Sequence, residues 1–369
     1  MKAGYISVII PLYNGEKYIE STIKRVQASK YQKLEIIVVD DGSRDQGVEI
    51  CRKLQKKDQR IFIYSKTNGG IDSARNYGAE RAGGEFLCFC DQDDIVENIM
   101  YEKLINAVVE SHSDFGMCGT GRYIDGKKSE FEIFPTGIYE GEDILSELLY
   151  PVLFNGYNVP LKMCSDKRYP TIWKCVFRKS FWDKSGFKFR TYINYEDDLL
   201  LLIEALTKAE KVVTIQEKGY YWRINLKSET YAGKYVNHIY YKQRKCLEDI
   251  LNSLQKREIE DKVINLYQMV AWCRFYVESI HNLTSPQVTK DKNNINKYFK
   301  ENIYRGNFKK NIAARRWVKK GHIKPKILLF FLNKKMILTC YTMEKVLDWI
   351  LLFVLQSPIL IKLERKIKS

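Results

Sequence analysis

The chain has no pair of cysteines in C-x-x-C spacing, although nine cysteines occur among its 369 residues. A secretory signal is also missing, because Met1 is followed almost at once by a segment of strand type. These two absences argue against a disulfide framework and predict a reducing, cytoplasmic setting.

Two glycine-rich phosphate motifs are absent as well. The first predicted strand ends in Pro11-Leu-Tyr-Asn-Gly15, where a dinucleotide-binding fold would place G-x-G-x-x-G. No G-x-x-x-x-G-K-[ST] segment occurs, so the phosphate cradle of a P-loop is missing too. The sequence therefore argues against a nicotinamide cofactor, and any bound phosphate has to be held by other groups.

No apolar run predicts a membrane-spanning helix, which needs about 20 mainly apolar residues. Residues 327–332 form a short run, and the longer run 346–361 contains Asp348, Gln356 and Pro358. We expect these runs to lie on a surface rather than to cross a bilayer.

The positive charge is concentrated at the C-terminal end. The formal charge is +16, and residues 301–369 hold 16 Lys/Arg against 4 Asp/Glu. Basic residues beside Trp, Phe and Leu favour a helix lying on an anionic membrane surface. The alternative is a terminal helical pair that packs on the rest of the chain or on a second subunit of a homo-oligomer. No nucleic-acid-binding motif accompanies the charge, so we expect no nucleic-acid partner.

The N-terminal part alternates strands with helices. The apolar strand-type segments are 6–10, 34–39, 61–64 and 85–90, and helical patterns occupy 16–29, 47–57 and 73–82. This order predicts an α/β fold with a mainly parallel sheet flanked by helices. Because ligands of such sheets collect beyond the carboxyl ends of the strands, the turns that follow the strands are the expected binding edge.

The strand 85–90 ends in three carboxylates, those of Asp91, Asp93 and Asp94. Carboxylates separated by one residue can both reach a hard divalent cation, which prefers one or two carboxylates together with substrate phosphates. A metal-bound pyrophosphate is the first hypothesis. The alternative is a turn that caps the helix predicted at 97–110, with Asp94 at the start of that helix.

Four segments occur in an order typical of one family: Ser7-Val-Ile-Ile-Pro-Leu-Tyr-Asn14, Ile37-Val-Val-Asp-Asp-Gly-Ser43, Ser73-Ala-Arg-Asn76 and Asp91-Gln-Asp-Asp94. Over about residues 5–230 the sequence resembles the family 2 glycosyltransferases of bacterial cell-surface polysaccharide synthesis. The resemblance implies a GT-A fold, a nucleotide-sugar donor with UDP favoured, Mn²⁺ or Mg²⁺, and inversion at the anomeric carbon. The implied acceptor is a hydroxyl of a glycan or lipid-linked glycan.

The resemblance also implies roles for individual side chains. Pro11 and Tyr13 would line the nucleobase site, and Asp40 and Asp41 would accept hydrogen bonds from the base and ribose. Turn chemistry is the structural alternative for these acids.

Asn68 and Arg75 would face the ribose and the diphosphate, where a guanidinium can bind phosphate oxygens in a bidentate way. Gln92 is expected among the donor contacts. Asp72 stands where the family often has a small residue, which is a departure from the pattern.

Asp91 and Asp93 would hold the metal ion against the diphosphate. Asp91 is also expected among the donor contacts. Arg223, at the end of an aromatic strand, would contact the diphosphate or order the acceptor loop, with surface stacking as the alternative.

A second acidic site follows at Tyr195-Glu-Asp-Asp198, ahead of an apolar helix. Inverting transfer needs a base that takes the proton of the attacking hydroxyl, and the resemblance implies Asp197 for this role. The alternative is that these acids cap the helix, which Asp198 can do equally well. The Tyr/Pro-rich stretch 154–170 lies where acceptor sites occur in the family.

Two domains are expected, a GT-A catalytic domain at 1–230 and a helical, basic region at 231–369. Within the second, apolar residues recur at helical spacing from about 235 to 283, with Gln243 as the polar exception. The leading hypothesis is a peripheral enzyme on the inner face of the cell membrane. The alternative is a non-catalytic transferase-like or anionic-polymer-binding protein with a basic tail.

Overall fold

The computed structural model describes residues 1–124, 126–154, 168–192, 196–224 and 235–283. The chain divides into two compact units, Met1–Asn225 with Glu248–Glu260, and Leu226–Leu247 with Asp261–Ser369. The predicted domain boundary at 230 lies outside the described residues and stays a prediction. The basic tail and most of the stretch 154–170 lie outside them as well.

The N-terminal half of the first unit is a regular alternation of strands and helices. Its elements are β1 (Lys2–Leu12), α1 (Ile19–Gln27), β2 (Leu34–Asp40), α2 (Gly47–Gln55), β3 (Ile61–Ser65), α3 (Ile71–Arg81), β4 (Gly84–Phe89), β5 (Ile95–Val96) and α4 (Met100–Ser111). Every residue of β2 is buried, as expected of a strand covered by helices on both faces.

The remaining elements of this unit extend the sheet and cover it. They are β6 (Phe115–Ile124), β7 (Lys127–Glu132), β8 (Gly137–Glu140), a π-helical segment (Ile144–Leu149), α5 (Tyr150–Leu153), β9 (Cys175–Arg178), α6 (Lys179–Ser185), α7 (Asp197–Lys208) and β10 (Lys211–Arg223).

The strands form one sheet in the order β3-β2-β1-β4-β9-β6-β10-β5, with β7 on β6 and β8 on β10. The pairs β1 with β2, β1 with β4, β2 with β3 and β6 with β10 are parallel. The short β9 is antiparallel to both β4 and β6 and joins the two parallel parts. The predicted α/β class with a mainly parallel central sheet flanked by helices is confirmed.

Strand β1 is longer than its sequence pattern predicts. Pro11 pairs with Val39 and Leu12 with Asp40, so the turn begins only at Tyr13. The apolar side of β1 continues through Leu12, which is completely buried. This extension carries the end of β1 level with the end of β2.

The described part of the second unit contains α9 (Asp261–Leu283) and the first residues of α8 (Ile239–Lys256). The polar exception in the predicted helical pattern, Gln243, is buried. Its side chain donates to the carbonyl of Phe275 at 2.9 Å and accepts from the hydroxyl of Ser279 at 3.1 Å. A buried amide with both ends bonded is stable in an apolar interface.

Among the described residues, none of the helices combines the length and apolar character needed to cross a bilayer.

Candidate active site

The turns that follow β1 and β2 form one side of the candidate site. Tyr13 follows β1 with 46% of its surface exposed, and Asn14 adopts a left-handed conformation with φ of 48°. The Asn14 side-chain oxygen accepts from the backbone N–H of Arg44 at 2.9 Å. The backbone N–H of Asn14 donates to the Ser43 hydroxyl at 3.1 Å. These bonds tie the two turns together beside the buried Pro11.

Asp40 and Asp41 are both buried and both bonded to backbone groups. Asp40 accepts from the N–H of Ser43 at 2.8 Å, which closes the turn after β2. The Asp41 carboxylate accepts from the N–H groups of Gly69 and Gly70, at distances from 2.7 to 3.1 Å, and from the Lys66 ammonium at 2.7 Å.

The loop between β3 and α3 is therefore ordered by Asp41. Gly70, with φ of 85°, starts α3 in a backbone conformation that favours glycine. The Asn68 side chain donates to the backbone carbonyl of Asp41 at 2.9 Å. Sequence reasoning predicts Asp41 and Asn68 as ligand contacts, and the structure places both in the framework of this loop.

The acidic turn, Asp91–Asp94, follows β4 directly and is held from the side of β10. The Tyr220 hydroxyl donates to Asp94 Oδ2 at 2.8 Å and accepts from the N–H of Asp91 at 3.0 Å. Arg223 donates its backbone N–H to Asp94 Oδ1 at 2.8 Å and its Nε–H to the carbonyl of Asp93 at 2.6 Å. Arg223 thus orders the turn that carries the predicted metal ligands.

The interpretation of Asp94 as a helix cap is wrong. Helix α4 begins at Met100, after the short strand β5, and has no side-chain cap. Asp94 is instead buried with both oxygens bonded to β10 residues. The preference of Asp for helix starts is overridden because two donors from β10 satisfy its carboxyl group in the interior.

The two remaining acids of the turn, Asp91 and Asp93, match the donor set of a hard divalent cation. Burial and, next, the neighbouring Asp91 carboxylate raise the pKa of Asp93 to about 6. Within the described residues, no group of three or more His, Cys, Asp or Glu side chains forms a metal cluster. The protein offers carboxylates that fit a metal ion only when ligand phosphates complete the coordination.

Arg75 lies at the centre of the site and bridges its two acidic parts. Its guanidinium pairs with Asp91 at 2.8 Å and with Asp198 at 2.7 Å, and it lies over the Phe189 ring at 5.1 Å from the ring centroid. Burial alone would lower the pKa of Arg75, but Asp198 and Asp91 raise it above its usual value. The buried Nε–H of Arg75 has no hydrogen-bond partner within the described part of the chain.

Helix α7 brings the second acidic site to the same place. Glu196, immediately before this helix, adopts φ of 54°, a conformation that non-glycine residues adopt rarely and mostly where surrounding contacts enforce it. The carboxyl group of Asp197 lies beside that of Asp72, and burial and then this neighbouring acid raise the pKa of Asp197 to about 9. Burial also raises the pKa of Asp198, while Arg75 offsets part of that effect.

These groups line a cavity of about 270 Å³, the acidic cavity, with Asp72, Arg75, Asp197 and Asp198 in its wall. Asp72 extends from the first turn of α3 and Asp197 from the first residue of α7. The arrangement can bind a cation or a hydroxyl, and it can accept a proton.

Sequence reasoning missed two groups that shape the site. The hydroxyl of Tyr220 holds the acidic turn, and the Tyr220 ring stacks on Trp173 with centroids 4.1 Å apart. Asn76 exchanges two hydrogen bonds with the backbone of Phe189, at 2.8 and 2.9 Å. The placement of Asn76 directly after Arg75 in the third motif is the signal that points to it.

The motif segments are matched as a unit by the sequence model of Glycosyl transferase family 2, over residues 7–149. Residues 7–149 thus carry the sequence pattern of this glycosyltransferase family. Asp197 lies beyond the matched segment, and the structure brings it to the same site as Arg75.

The curated relatives that this chain resembles include bacterial glycosyltransferases. The uncharacterized glycosyltransferase EpsJ of Bacillus subtilis (strain 168) is 28% identical over 226 residues, which is 61% of this chain and 62% of EpsJ. The poly(ribitol-phosphate) beta-N-acetylglucosaminyltransferase TarS of Staphylococcus aureus (strain Mu50) is 24% identical over 263 residues, 70% of this chain and 42% of TarS. The matches thus span less than two-thirds of either relative.

A solved structure shares the fold. The crystal structure of S. aureus TarS 1-349 in complex with UDP-GlcNAc matches with a TM-score of 0.59 at 20% identity, covering 92% of this chain and 90% of that chain. The predicted GT-A fold of the chain is confirmed by this likeness.

Proposed function

We propose that the protein is an inverting glycosyltransferase that moves a sugar from a UDP-sugar to an acceptor hydroxyl. The observation that carries the proposal is the convergence at Arg75 of the acidic turn and the first turn of α7. An inverting transfer needs a diphosphate site and a base on opposite sides of one sugar, and this arrangement offers both. TarS, which shares the fold, has been crystallised with UDP-GlcNAc, which supports a UDP-sugar.

The donor is proposed to enter at the ends of β1 and β4. Tyr13 offers an exposed ring to the uracil, with Pro11 beside it, and Asp40 and Asn68 line the neighbouring turns.

Asp91 and Asp93 would hold Mn²⁺ or Mg²⁺, with the donor phosphates as further ligands. When bound, this ion would neutralise charge that develops on the departing nucleoside diphosphate.

The base is proposed to be Asp197. In the free protein its carboxyl group lies beside Asp72 and is not in the Arg75 ion pair, whereas Asp198 is. Asp197 is therefore the acid of α7 that can receive a proton without breaking the bridge to the acidic turn. Proton transfer from the acceptor hydroxyl to its carboxylate would accompany attack on the anomeric carbon from the face opposite the diphosphate.

A panel of UDP-sugars incubated with Mn²⁺ tests the reaction class, with water in place of the acceptor hydroxyl. We expect hydrolysis of at least one UDP-sugar, and we expect Asp93→Asn to lower it about 10-fold or more because one charge of the phosphate site is lost. Metal-independent hydrolysis, or equal rates with Asp93→Asn, would remove Asp93 from the site. Complete inactivity of the wild type together with unmeasurable UDP binding would overturn the proposed function.

The acceptor is proposed to belong to a cell-surface glycan made at the inner face of the cell membrane. The name of TarS, a transferase acting on poly(ribitol-phosphate), supports a cell-envelope polymer as the acceptor class. The 16 Lys/Arg of residues 301–369 support attachment to an anionic membrane surface.

Flotation with liposomes tests this placement. We expect the full chain to float with liposomes containing anionic lipid, less so at high salt, and a chain lacking residues 322–369 to stay at the bottom. The reason is that each Lys or Arg near an anionic surface contributes about 1 kcal/mol, and salt screens that attraction. Neutral liposomes are the control. A full chain that ignores anionic liposomes, or a truncated chain that still floats, would contradict the proposed role of the tail.

A further inference from the structure

Gln92 lies in the middle of the acidic turn, and its side chain hydrogen-bonds the backbone of another residue, Tyr13. Its amide oxygen accepts from the backbone N–H of Tyr13 at 2.9 Å, and its amide nitrogen donates to the carbonyl of the same residue at 3.1 Å. This is the pair of bonds that a neighbouring strand would exchange with Tyr13. The side chain of Gln92 therefore replaces a strand at the point where β1 ends.

The fit of this side chain is close. A Cβ atom added to Gly15 would lie 2.4 Å from the Gln92 amide oxygen, so only glycine leaves room for the amide there. The backbone carbonyl of Gln92 is itself fixed, because the Thr22 hydroxyl donates to it at 2.9 Å. Gln92 is thus anchored at its backbone and at its side chain, between two residues that are proposed metal ligands.

Tyr13 differs from Gln92, because its backbone is fixed but its ring is exposed. Its backbone N–H and carbonyl are both bonded to Gln92, while 46% of the residue is exposed. An exposed aromatic ring on an ordered backbone is a good stacking surface for a base, since little conformational entropy is lost when the base binds.

We infer that Gln92 is a positioning residue that fixes the Tyr13 ring for the nucleobase and couples base binding to diphosphate binding at the acidic turn. The inference rests on the proposed function and deepens it. Gln92 acts through Tyr13 and does not itself contact the donor, which differs from the sequence-based expectation that it is a donor contact. Replacement of the side chain should then affect only ligands that carry a base.

Calorimetry on the full chain with Mn²⁺ tests the inference with two probes, UDP and inorganic pyrophosphate. Gln92→Met keeps the length of the side chain and removes both hydrogen bonds. We expect UDP binding to weaken about 5- to 10-fold, in line with the loss of two backbone bonds, while pyrophosphate binding stays within about 2-fold of the wild type. Gln55→Met is the matched control, because the Gln55 amide also donates to a backbone carbonyl, that of Ile61, at 3.0 Å.

A double-mutant cycle with Tyr13→Ala separates positioning from direct contact. If Gln92 acts through the ring, UDP binding by the double variant equals that of Tyr13→Ala alone. Additive losses would mean that Gln92 contacts the donor and would overturn the inference. Equal weakening of UDP and pyrophosphate would also overturn it, because the whole acidic turn would then have moved.

The same titrations distinguish this inference from the proposed function. A wild-type chain that binds UDP but is unaffected by Gln92→Met contradicts the role of Gln92 only. A wild-type chain that binds pyrophosphate and not UDP contradicts the uridine donor and, with it, the base-stacking role of Tyr13.

Discussion

Replacing Asp197 by Asn is expected to lower sugar transfer about 10²–10⁴-fold, the usual contribution of a general base. Asn keeps the size of the side chain but cannot take the proton of the acceptor hydroxyl. Binding of UDP with Mn²⁺ should stay close to the wild-type value, because Asp197 belongs to the wall contributed by α7 and takes no part in the ion pairs of Arg75 with Asp91 and Asp198. Transfer kinetics and calorimetry on the same preparation measure the two effects.

Asp198→Asn is the matched control, since it makes the same chemical change one residue further along α7. Asp198 pairs with Arg75 at 2.7 Å and also accepts from the N–H of Ile172 at 3.4 Å. We expect this variant to weaken UDP binding through Arg75 more than it slows the transfer step. A variant pair with the reverse phenotypes would mean that Asp198 is the base.

The dependence of the transfer rate on pH is a second test of Asp197 as the base. Burial and then Asp72 raise the pKa of Asp197 to about 9, and Asp198 and Arg75 also face it. A base acts in its deprotonated form, so the rate should rise with pH through that pKa. Asp72→Asn removes a negative charge and adds a donor, so the acidic limb should move to lower pH.

The raised pKa of Asp197 also predicts how Asp72→Asn changes the stability of the fold. An acid whose pKa is raised in the folded state lowers stability increasingly as pH rises from its unfolded pKa, about 3.9, to its folded pKa, and the full cost remains above that. The variant should therefore melt at a higher temperature than the wild type, with a larger gain at pH 8 than at pH 5. An unchanged acidic limb together with an unchanged melting temperature would show that Asp72 does not control Asp197.

The half of the site proposed to bind the donor is predictable from the sequence because local patterns determine it. Segments 6–10, 34–39 and 85–90 read as buried strands, and parallel strands end at one edge of a sheet, so Tyr13, Asp40 and Asp91 are expected together. The structure confirms the alternation and the parallel pairing. The order of the motifs adds Arg75, which the structure places 2.8 Å from Asp91.

The contacts that order this site are not predictable in the same way, because they join distant segments. The Tyr220 hydroxyl reaches Asp94 across 126 residues of sequence, and Arg75 reaches Asp198 across 123. No periodicity or turn rule relates such positions. The expectation that Asp94 caps a helix fails for this reason, since a local preference competes there with partners that only the folded chain supplies.

The strands beyond residue 115 are hard to predict from the sequence because of the residues that form them. Strand β6 reads Phe-Gly-Met-Cys-Gly-Thr-Gly-Arg-Tyr-Ile, and its three glycines lower the β-propensity that a sequence reading depends on. The structure nevertheless pairs β6 in parallel with β10. A Cβ at Gly121 would lie 2.4 Å from the Tyr221 ring, so close packing between these strands explains that glycine.

Arg75→Ala is expected to have the largest combined effect on stability and binding. The side chain is 5% exposed and bridges two carboxylates, those of Asp91 and Asp198. Removing one partner of a buried ion pair typically costs about 3–5 kcal/mol, because the remaining charge is left uncompensated. UDP binding with Mn²⁺ should fall below detection, since Arg75 also carries a buried Nε–H that has no partner in the described residues and that a phosphate can use.

The double variant Arg75→Ala/Asp198→Asn separates the two effects. Neutralising Asp198 removes one of the two carboxylate charges that Arg75→Ala leaves uncompensated, and burial raises the pKa of this one. We therefore expect denaturant unfolding to show part of the lost stability restored, while calorimetry still shows no UDP binding. Recovery of UDP binding together with stability would mean that Arg75 only balances charge, and the diphosphate would then have to be held by Asp91, Asp93 and their metal ion alone.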